Sequence, residues 1–485
     1  MDSEESSPTH AHGGRDLTTG SIPRQLVTFA LPLLAGSAIQ CAYTLVNRIW
    51  VGQFLGPEAL AAITVTMQVT FVLVALANGL TMGSSILVSQ FVGARNWEAV
   101  RRVVQSSVLL ILILGGVLLV AGEIAAPALL RAINTPPEAW RLALPYMRIF
   151  IGAFPLVFTG FLTIALLRGT GDSLTPLYFQ AAGVVINAIL DPLLMLGWLG
   201  FPRLGLNGTA VGMLVGQTVT IVAFFVYLHR KKHLLSPDWR GLRPDWQMAK
   251  LTAKIGLPAG AQQLLVSLGG AVVITFVNRF GENATAGFGA AGQVDMVPFF
   301  VAMSFGMAVS VLAGQNIGAG RFARVRHTFW AGLALSGSLV TVFSLLAVTY
   351  PTGIMRLFVN PAHDPAPFAI GVEYLRIVGA SYLFFAVMFA GVGVINGAGH
   401  TFVGTITTLV GLWLVRIPLA AYLSHRMDSV TGIWYAMVIS FSVSMLLSVG
   451  YVLSGLWKRP IVKHGLAPAA EVAQAPQQSG VIEPL

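Results

Sequence analysis

Asp191 lies in VVINAILDPLLMLG, inside an apolar run long enough to cross a bilayer as a helix. A carboxylate held at the bilayer centre costs about 2.5 to 3.5 kcal/mol on insertion scales, so one kept there is a functional candidate. Asn187 precedes Asp191 by four positions and Gln180 precedes Asn187 by seven, which puts all three on one helical face. Pro192 follows the carboxylate directly, removing a backbone donor and freeing a carbonyl one turn earlier. Together these predict a carboxylate, amide oxygens and a free carbonyl near one spot. Such a set of hard oxygens can hold a cation, and a carboxyl in apolar surroundings can carry a proton instead. The plainer alternative is that Asp191 hydrogen-bonds a neighbouring helix and only fixes packing.

Other polar groups enter apolar segments. Asn47 stands in YTLVNRIWVGQFLG, followed at once by Arg48. Asp295 stands in GQVDMVPFF with Pro298 after it, and Gln262 with Gln263 in GAQQLL. A lone Asn or Gln in a membrane helix serves equally well as glue between helices, so Asp295, Gln180, Gln262 and Gln263 form a secondary polar set behind Asp191. Glu123 and Glu373 lie near membrane edges, where a charge reaches water. Arg168, Arg376 and Arg416 are expected to meet lipid phosphates or helix carboxyl ends. The single Cys41 excludes an internal disulfide and a cysteine-based metal cluster, and His10 with His12 read as part of a flexible tail. No paired His, Cys or Ser nucleophile arrangement appears in the spans, so an enzyme is not expected, and no charged or carbonyl-type filter motif suggests a channel.

The elements that carry these residues are membrane helices. Of 485 residues 55% are hydrophobic and only 10% charged, against roughly a quarter charged in a soluble protein. Twelve segments of about 20 apolar residues recur, near 26–50, 59–88, 103–126, 145–167, 175–198, 208–228, 251–278, 284–313, 327–350, 374–396, 402–423 and 430–456. They fall into two copies of one unit. Gln90 and Gly93 in SQFVGAR return 225 positions later as Gln315 and Gly318 in GQNIGAG. LPYMRI with Tyr146 answers VEYLRI with Tyr374, and LRGTGDS answers INGAGHT, both 228 apart. Pro32 answers Pro258, and Gly208 answers Gly432. Internal repeats of this kind mark secondary transporters, whose sites lie between the repeats. With six spans per copy the second enters from the same side as the first, so the halves are related by an axis along the membrane normal.

The expected organisation is a flexible N-terminus at 1–22, an N-lobe at 23–228, a polar linker at 229–250, a C-lobe at 251–457 and a flexible C-terminus at 458–485. The first twenty residues lack the basic start and apolar core of a cleaved signal, and the last stretch is rich in Ala, Pro and Gln. Orientation follows from the basic residues. Arg15, Arg24, Arg95, Arg101, Arg102, Arg168, the linker cluster, Arg321, Arg324, Arg326, Lys458, Arg459 and Lys463 fall on one side, against scattered Arg131, Arg203, Arg356 and Arg426 on the other. Both termini are therefore expected in the cytoplasm, with the formal charge of +10 anchoring to anionic lipid rather than to nucleic acid.

The second half has no copy of Asp191: Ile417 and Pro418 in TTLVGLWLVRIPLAAYL stand about where Asp191 and Pro192 do. Coupling chemistry is therefore expected in the N-lobe, with mainly apolar and aromatic surface from the C-lobe. The repeated Gln-x-x-Gly-Ala segments read as structural, with small residues at a helix end and Gln capping exposed backbone.

The order of these motifs, with RGTGDSLTP, LDPLL and WLVRIPLA, resembles the multidrug and toxic compound extrusion (MATE) transporters over residues 20 to 460. That resemblance implies two six-helix lobes around a central cleft that opens alternately to each side, exporting organic and often cationic compounds against protons or sodium ions, without a cofactor. It implies a small-molecule amphipathic or cationic substrate, a monomer in the cell membrane, and an ion-coupling cluster at Asp191, Asn187 and Asn47. Asn47 stands where prokaryotic members similar to this chain carry an Asp; the substitution removes a charge and a titratable site but retains an oxygen that could join Asp191 and Asn187 around sodium. A lipid-linked oligosaccharide flippase of the same wider fold group is the alternative, disfavoured by the few Lys and Arg inside the spans.

Overall fold

The computed structural model describes residues 14–132, 135–231, 233–236 and 245–458. Within them the chain is helical throughout. The first lobe comprises α1 (Ile22–Leu55), α2 (Pro57–Gly93), α3 (Trp97–Ala132), α4 (Pro137–Gly152), α5 (Phe154–Gly169), α6 (Leu174–Leu196) and α7 (Leu206–Arg230). The second comprises α8 (Trp246–Asn278), α9 (Glu282–Gly318), α10 (Phe322–Thr349), α11 (Pro351–Met355), α12 (Pro365–Val378), α13 (Tyr382–Gly397), α14 (Thr401–Thr408), α15 (Ile417–Met427) and α16 (Thr431–Ser454). Among the described residues eleven helices are long and apolar enough to span a bilayer, and α4 with α5, bent by 51°, makes a twelfth. The bend has a local cause: Pro155 carries no backbone donor, so the ladder breaks at Ala153.

The repeat is visible in lengths and turns. α2 and α9 each have 37 residues. The turns before them carry Gly56 and Gly281, with φ of 84° and 89°, a left-handed conformation that a Cβ would strain. In the span matching α6 the symmetry fails: a π-helical stretch, Leu409–Arg416, separates α14 from α15 just before Ile417 and Pro418.

Contacts between the lobes concentrate on the side that holds residues 14–20 and Trp457, here the terminal side. α2 and α8 cross there through glycines. A Cβ on Gly79 would stand 2.4 Å from the Gly260 backbone nitrogen, and one on Gly83 2.7 Å from the Thr252 carbonyl oxygen. Lipid tails are as apolar as Leu, so close backbone packing rather than exclusion from water holds such helices together. Past the contact of Gly260 with Ala75, α8 turns to its own lobe, and Gly269 lies over Leu412. Nearer the terminal side α2 meets α9: a Cβ on Gly93 would stand 1.9 Å from the Gln315 carbonyl oxygen, and one on Gly318 1.8 Å from that of Gln90. Most of α2 from Ala75 to Gly93 and of α9 from Val301 to Ile317 is correspondingly buried. The lobes are thus sealed on the terminal side, and beyond Gly260 α8 leaves α2 for its own lobe.

Three segments differ from the expected partition. The first half of α1 packs in the C-lobe core through Leu26, Phe29, Ala30 and Leu33, while its second half faces α6. Gly14–Gly20, expected to belong to a flexible end, carries the buried Leu17 and is hydrogen-bonded into the fold. Of the linker, Leu234 and Leu235 are buried against the N-lobe. His10, His12, residues 237–244 and residues beyond 458 lie outside the described residues.

Candidate functional site

α6 delivers Asp191 and α1 meets it. The Asn47 Nδ2 donates to Asp191 Oδ2 at 2.8 Å, and the Tyr43 hydroxyl donates to the same oxygen at 3.0 Å. Tyr43 and Asn47 are one turn apart on α1, so a single face supplies both donors. The carboxylate is only 4% exposed. Its other oxygen, Oδ1, is buried without a hydrogen-bond partner, and so is Asn187 Oδ1 one turn earlier.

Both orphan oxygens face α7, where the sequence keeps glycine. A Cβ on Gly212 would stand 2.9 Å from Asp191 Oδ1, and one on Gly216 2.0 Å from Asn187 Oδ1. Any larger residue at these two positions would collide with the acceptors. Tyr146 of α4 sits beside Thr209 of α7 and Asp191, completing a polar wall. An unpaired buried carbonyl or carboxylate oxygen is costly. Two of them, one turn apart, fit a proton or a small hard cation by their chemistry. Asp191 lies five residues from the end of α6, hence about 7.5 Å of helical rise from the end opposite the terminal side. It is nearer that end than the centre of the span.

The other sequence candidates separate. Gln180 shares the α6 face but is eleven residues away, about 16 Å along the axis, and its Nε2 donates to the Gly36 carbonyl at 3.2 Å, joining α6 to α1. Gln262 donates to Thr408 Oγ1 at 3.0 Å, joining α8 to α14. Gln263 is exposed. These amides do not gather into one polar site: Gln180 and Gln262 each join their own helix pair, and Gln263 meets neither.

Asp295 stands apart in the C-lobe, where the Tyr374 and Tyr382 hydroxyls donate to its two oxygens. Tyr374, which answers Tyr146 in the repeat, packs edge-on against Trp434 with ring centroids 4.8 Å apart. Arg416 is not at a lipid phosphate or a helix end, as its sequence position suggested. Its Nε donates to Ser440 Oγ at 2.7 Å and its guanidinium lies 4.2 Å from the Phe441 ring centroid. The C-lobe is therefore not merely apolar and aromatic, because the π-helical stretch turns Arg416 inward beside the Asp295 cluster. Tyr43, Gly212 and Gly216 went unnoticed in the sequence. The one signal that could have found the glycines is their spacing of four, on a span following one with a buried acid.

The MatE family model matches residues 32–193 and again 258–422, one match per lobe. The probable multidrug resistance protein YoeA of Bacillus subtilis (strain 168) is 34% identical over 443 residues, covering 90% of this chain and 95% of that protein. The probable multidrug resistance protein YpnP of the same strain is 30% identical, covering 91% and 97%. A solved outward-facing multidrug resistance MATE family transporter of the MOP superfamily superposes with a TM-score of 0.83 at 22% identity, over 90% of this chain and 96% of that one. Two family-model matches on two six-span lobes, joined at a glycine-lined seam, leave one assignment: the chain belongs to the MatE family of multi-pass membrane transporters, and is not an enzyme.

Proposed function

We propose that this protein exports organic, often cationic compounds by exchange for protons or sodium ions, with Asp191, Asn187 and Asn47 as the coupling set. One observation carries the reading: two buried oxygens, Asp191 Oδ1 and Asn187 Oδ1, lie unpartnered on adjacent turns against glycines. Asn47 takes a specific part in this scheme. Its Nδ2, rather than its oxygen, faces the carboxylate, so it steadies the ionised form while Asp191 and Asn187 present the acceptors.

Binding of the coupling ion neutralises a buried charge and favours the lobe arrangement that releases substrate. A ligand shifts such an equilibrium only by its differential affinity for the two arrangements. Names of the relatives support a multidrug substrate range. Phe, Met and Trp side chains suit flat cations of varied shape. The arginines gathered on the terminal side support its assignment to the cytoplasm, which makes the arrangement described above the outward-facing one, in a monomer of the cell membrane.

Efflux of a fluorescent cationic dye from cells, with the proton and sodium gradients collapsed separately, identifies the ion. Export that stops with one gradient and is lost in Asp191→Asn supports the reading. Export by Asp191→Asn at the parent rate overturns the coupling assignment, and absence of dye export points to the flippase alternative.

A further inference from the structure

The terminal-side seal breaks the symmetry of the repeat at one place. Gln90 Nε2 crosses from the N-lobe to donate to the Gly397 carbonyl of the C-lobe at 2.8 Å. The repeat maps Gln90 onto Gln315 and Gly397 onto Gly169, so Gln315 would be expected to reach back to the Gly169 turn. Its Nε2 does approach that turn, 3.1 Å from where a Cβ on Gly171 would stand, but its amide bonds go to residues 14–20 instead of to the Gly169 carbonyl. Gln315 Oε1 accepts from the Leu17 backbone N–H at 2.9 Å, and its Nε2 donates to the Arg15 carbonyl at 3.3 Å. The Arg15 backbone N–H in turn donates to the Thr170 carbonyl at 2.9 Å.

The segment is held from both lobes. On the C-lobe side Asn316 Nδ2 donates to the Leu17 carbonyl at 3.3 Å, Arg321 Nη1 to that of Thr18 at 2.6 Å and Arg324 Nη2 to that of Gly20 at 3.1 Å. The two guanidinium donors, Arg321 and Arg324, make stronger bonds than a neutral donor does. The Leu17 side chain, 1% exposed, is sunk in the C-lobe core. On the N-lobe side Asp16 lies 3.6 Å from Arg95, and the Arg15 carbonyl presses against Gly171, where a Cβ would stand 2.6 Å away. Gly171 has φ of 91° and so has two reasons to be glycine.

We propose that Gly14–Gly20 is a latch: a strap that replaces one of the two symmetry-related contacts between lobes and holds the terminal side shut until it is released. Opening that side separates Gln315 and Asn316 from the Thr170 turn, so the strap has to let go of one lobe or the other. The latch sets how often the protein visits the arrangement open to the terminal side, and thus how readily substrate is loaded. This inference rests on the alternating-access reading, and the experiment separates the two.

Spin labels at Arg101→Cys on α3 and Arg326→Cys on α10, both exposed, in a Cys41→Ser background, report the separation of the lobes on the terminal side. In the parent, pulsed electron spin resonance is expected to give a dominant short distance and a minor long one that responds to dye, sodium or pH. Leu17→Asp removes the apolar anchor, and Asn316→Ala removes the donor to the Leu17 carbonyl and the acceptor of Arg324 Nε while leaving the buried leucine side chain in place. Each is expected to raise the ratio of long to short populations at least about fivefold. An unchanged ratio in monodisperse protein of either variant overturns the latch. Should Leu17→Asp fail to fold, Asn316→Ala alone decides. A parent with one distance under every condition fails the alternating-access reading instead, and the latch with it.

Discussion

Asp191 is a carboxylate with its two oxygens in different circumstances. Oδ2 accepts from Tyr43 and Asn47, while Oδ1 is left for something else. Hydrogen bonds to a charged group contribute about 1.5 to 3 kcal/mol, so removing the charge alters both halves of this arrangement at once. Asp191→Asn is expected to lower gradient-driven dye efflux at least about tenfold in everted vesicles while leaving helix content and expression unchanged. Asn47→Asp places a second acid on the same oxygen cluster, and two carboxylates this close cannot both remain ionised without a cation or proton between them. The half-saturating concentration of the coupling ion is expected to shift by about tenfold in that variant, read from initial efflux rates across a sodium or pH series.

At the scale of elements, glycine decides where helices approach. Gly216 of α7 gives Asn187 its space; in Gly216→Ala the new methyl would stand 2.0 Å from Asn187 Oδ1. Overpacking of that order costs about 1 to 3 kcal/mol. The amide is displaced from the Asp191 face, so ion-driven efflux is expected to fall several-fold while dye binding without a gradient stays close to the parent value. Gly318 stands differently, because its obstacle is a backbone carbonyl, Gln90 O, at 1.8 Å from a Cβ. A side chain could rotate away, but a helix backbone yields only by moving the helix. Gly318→Ala is therefore expected to hold the lobes apart on the terminal side. Faster alkylation of a cysteine placed at Ser89, which is 1% exposed, would report that opening, and an unchanged rate would count against the seal.

For the whole molecule, the two lobes meet at one end, and the proposed alternating access requires the meeting place to change ends. Ser89 on α2 and Gly314 on α9 belong to different lobes, and a Cβ on Gly314 would lie 3.1 Å from that of Ser89, so a shift of a few tenths of an ångström brings the pair to the roughly 3.5 to 4.5 Å of a disulfide. In a Cys41→Ser background, Ser89→Cys with Gly314→Cys is expected to stop dye export when oxidised and to restore it on reduction, with the single variants unaffected by oxidant. Export that continues across the oxidised pair would mean that this seal never opens during transport.

How much of this was legible in the sequence differs from residue to residue. Asp191 and Asn187 could be found because a charge in an apolar run is costly and a spacing of four is local. Gln180 shares their face yet lies about 16 Å further along the axis, since a helical face says nothing of distance along it. Asp295 was visible as a charge, but its tyrosine partners were not, since Tyr374 and Tyr382 are 79 and 87 positions away. Arg416 was placed at the membrane edge because no propensity foretold the π-helical stretch that turns it inward. The sequence by itself determined the spans and the duplication, since hydropathy over twenty residues and self-similarity at a fixed offset need no partner. Only the tertiary structure decided what meets across the lobes: Asn47 on Asp191, glycine on glycine, and residues 14–20 between Gln315 and Thr170. Those contacts join backbone atoms and side chains far apart in the chain, and backbone hydrogen bonds leave no mark on which residue is written there.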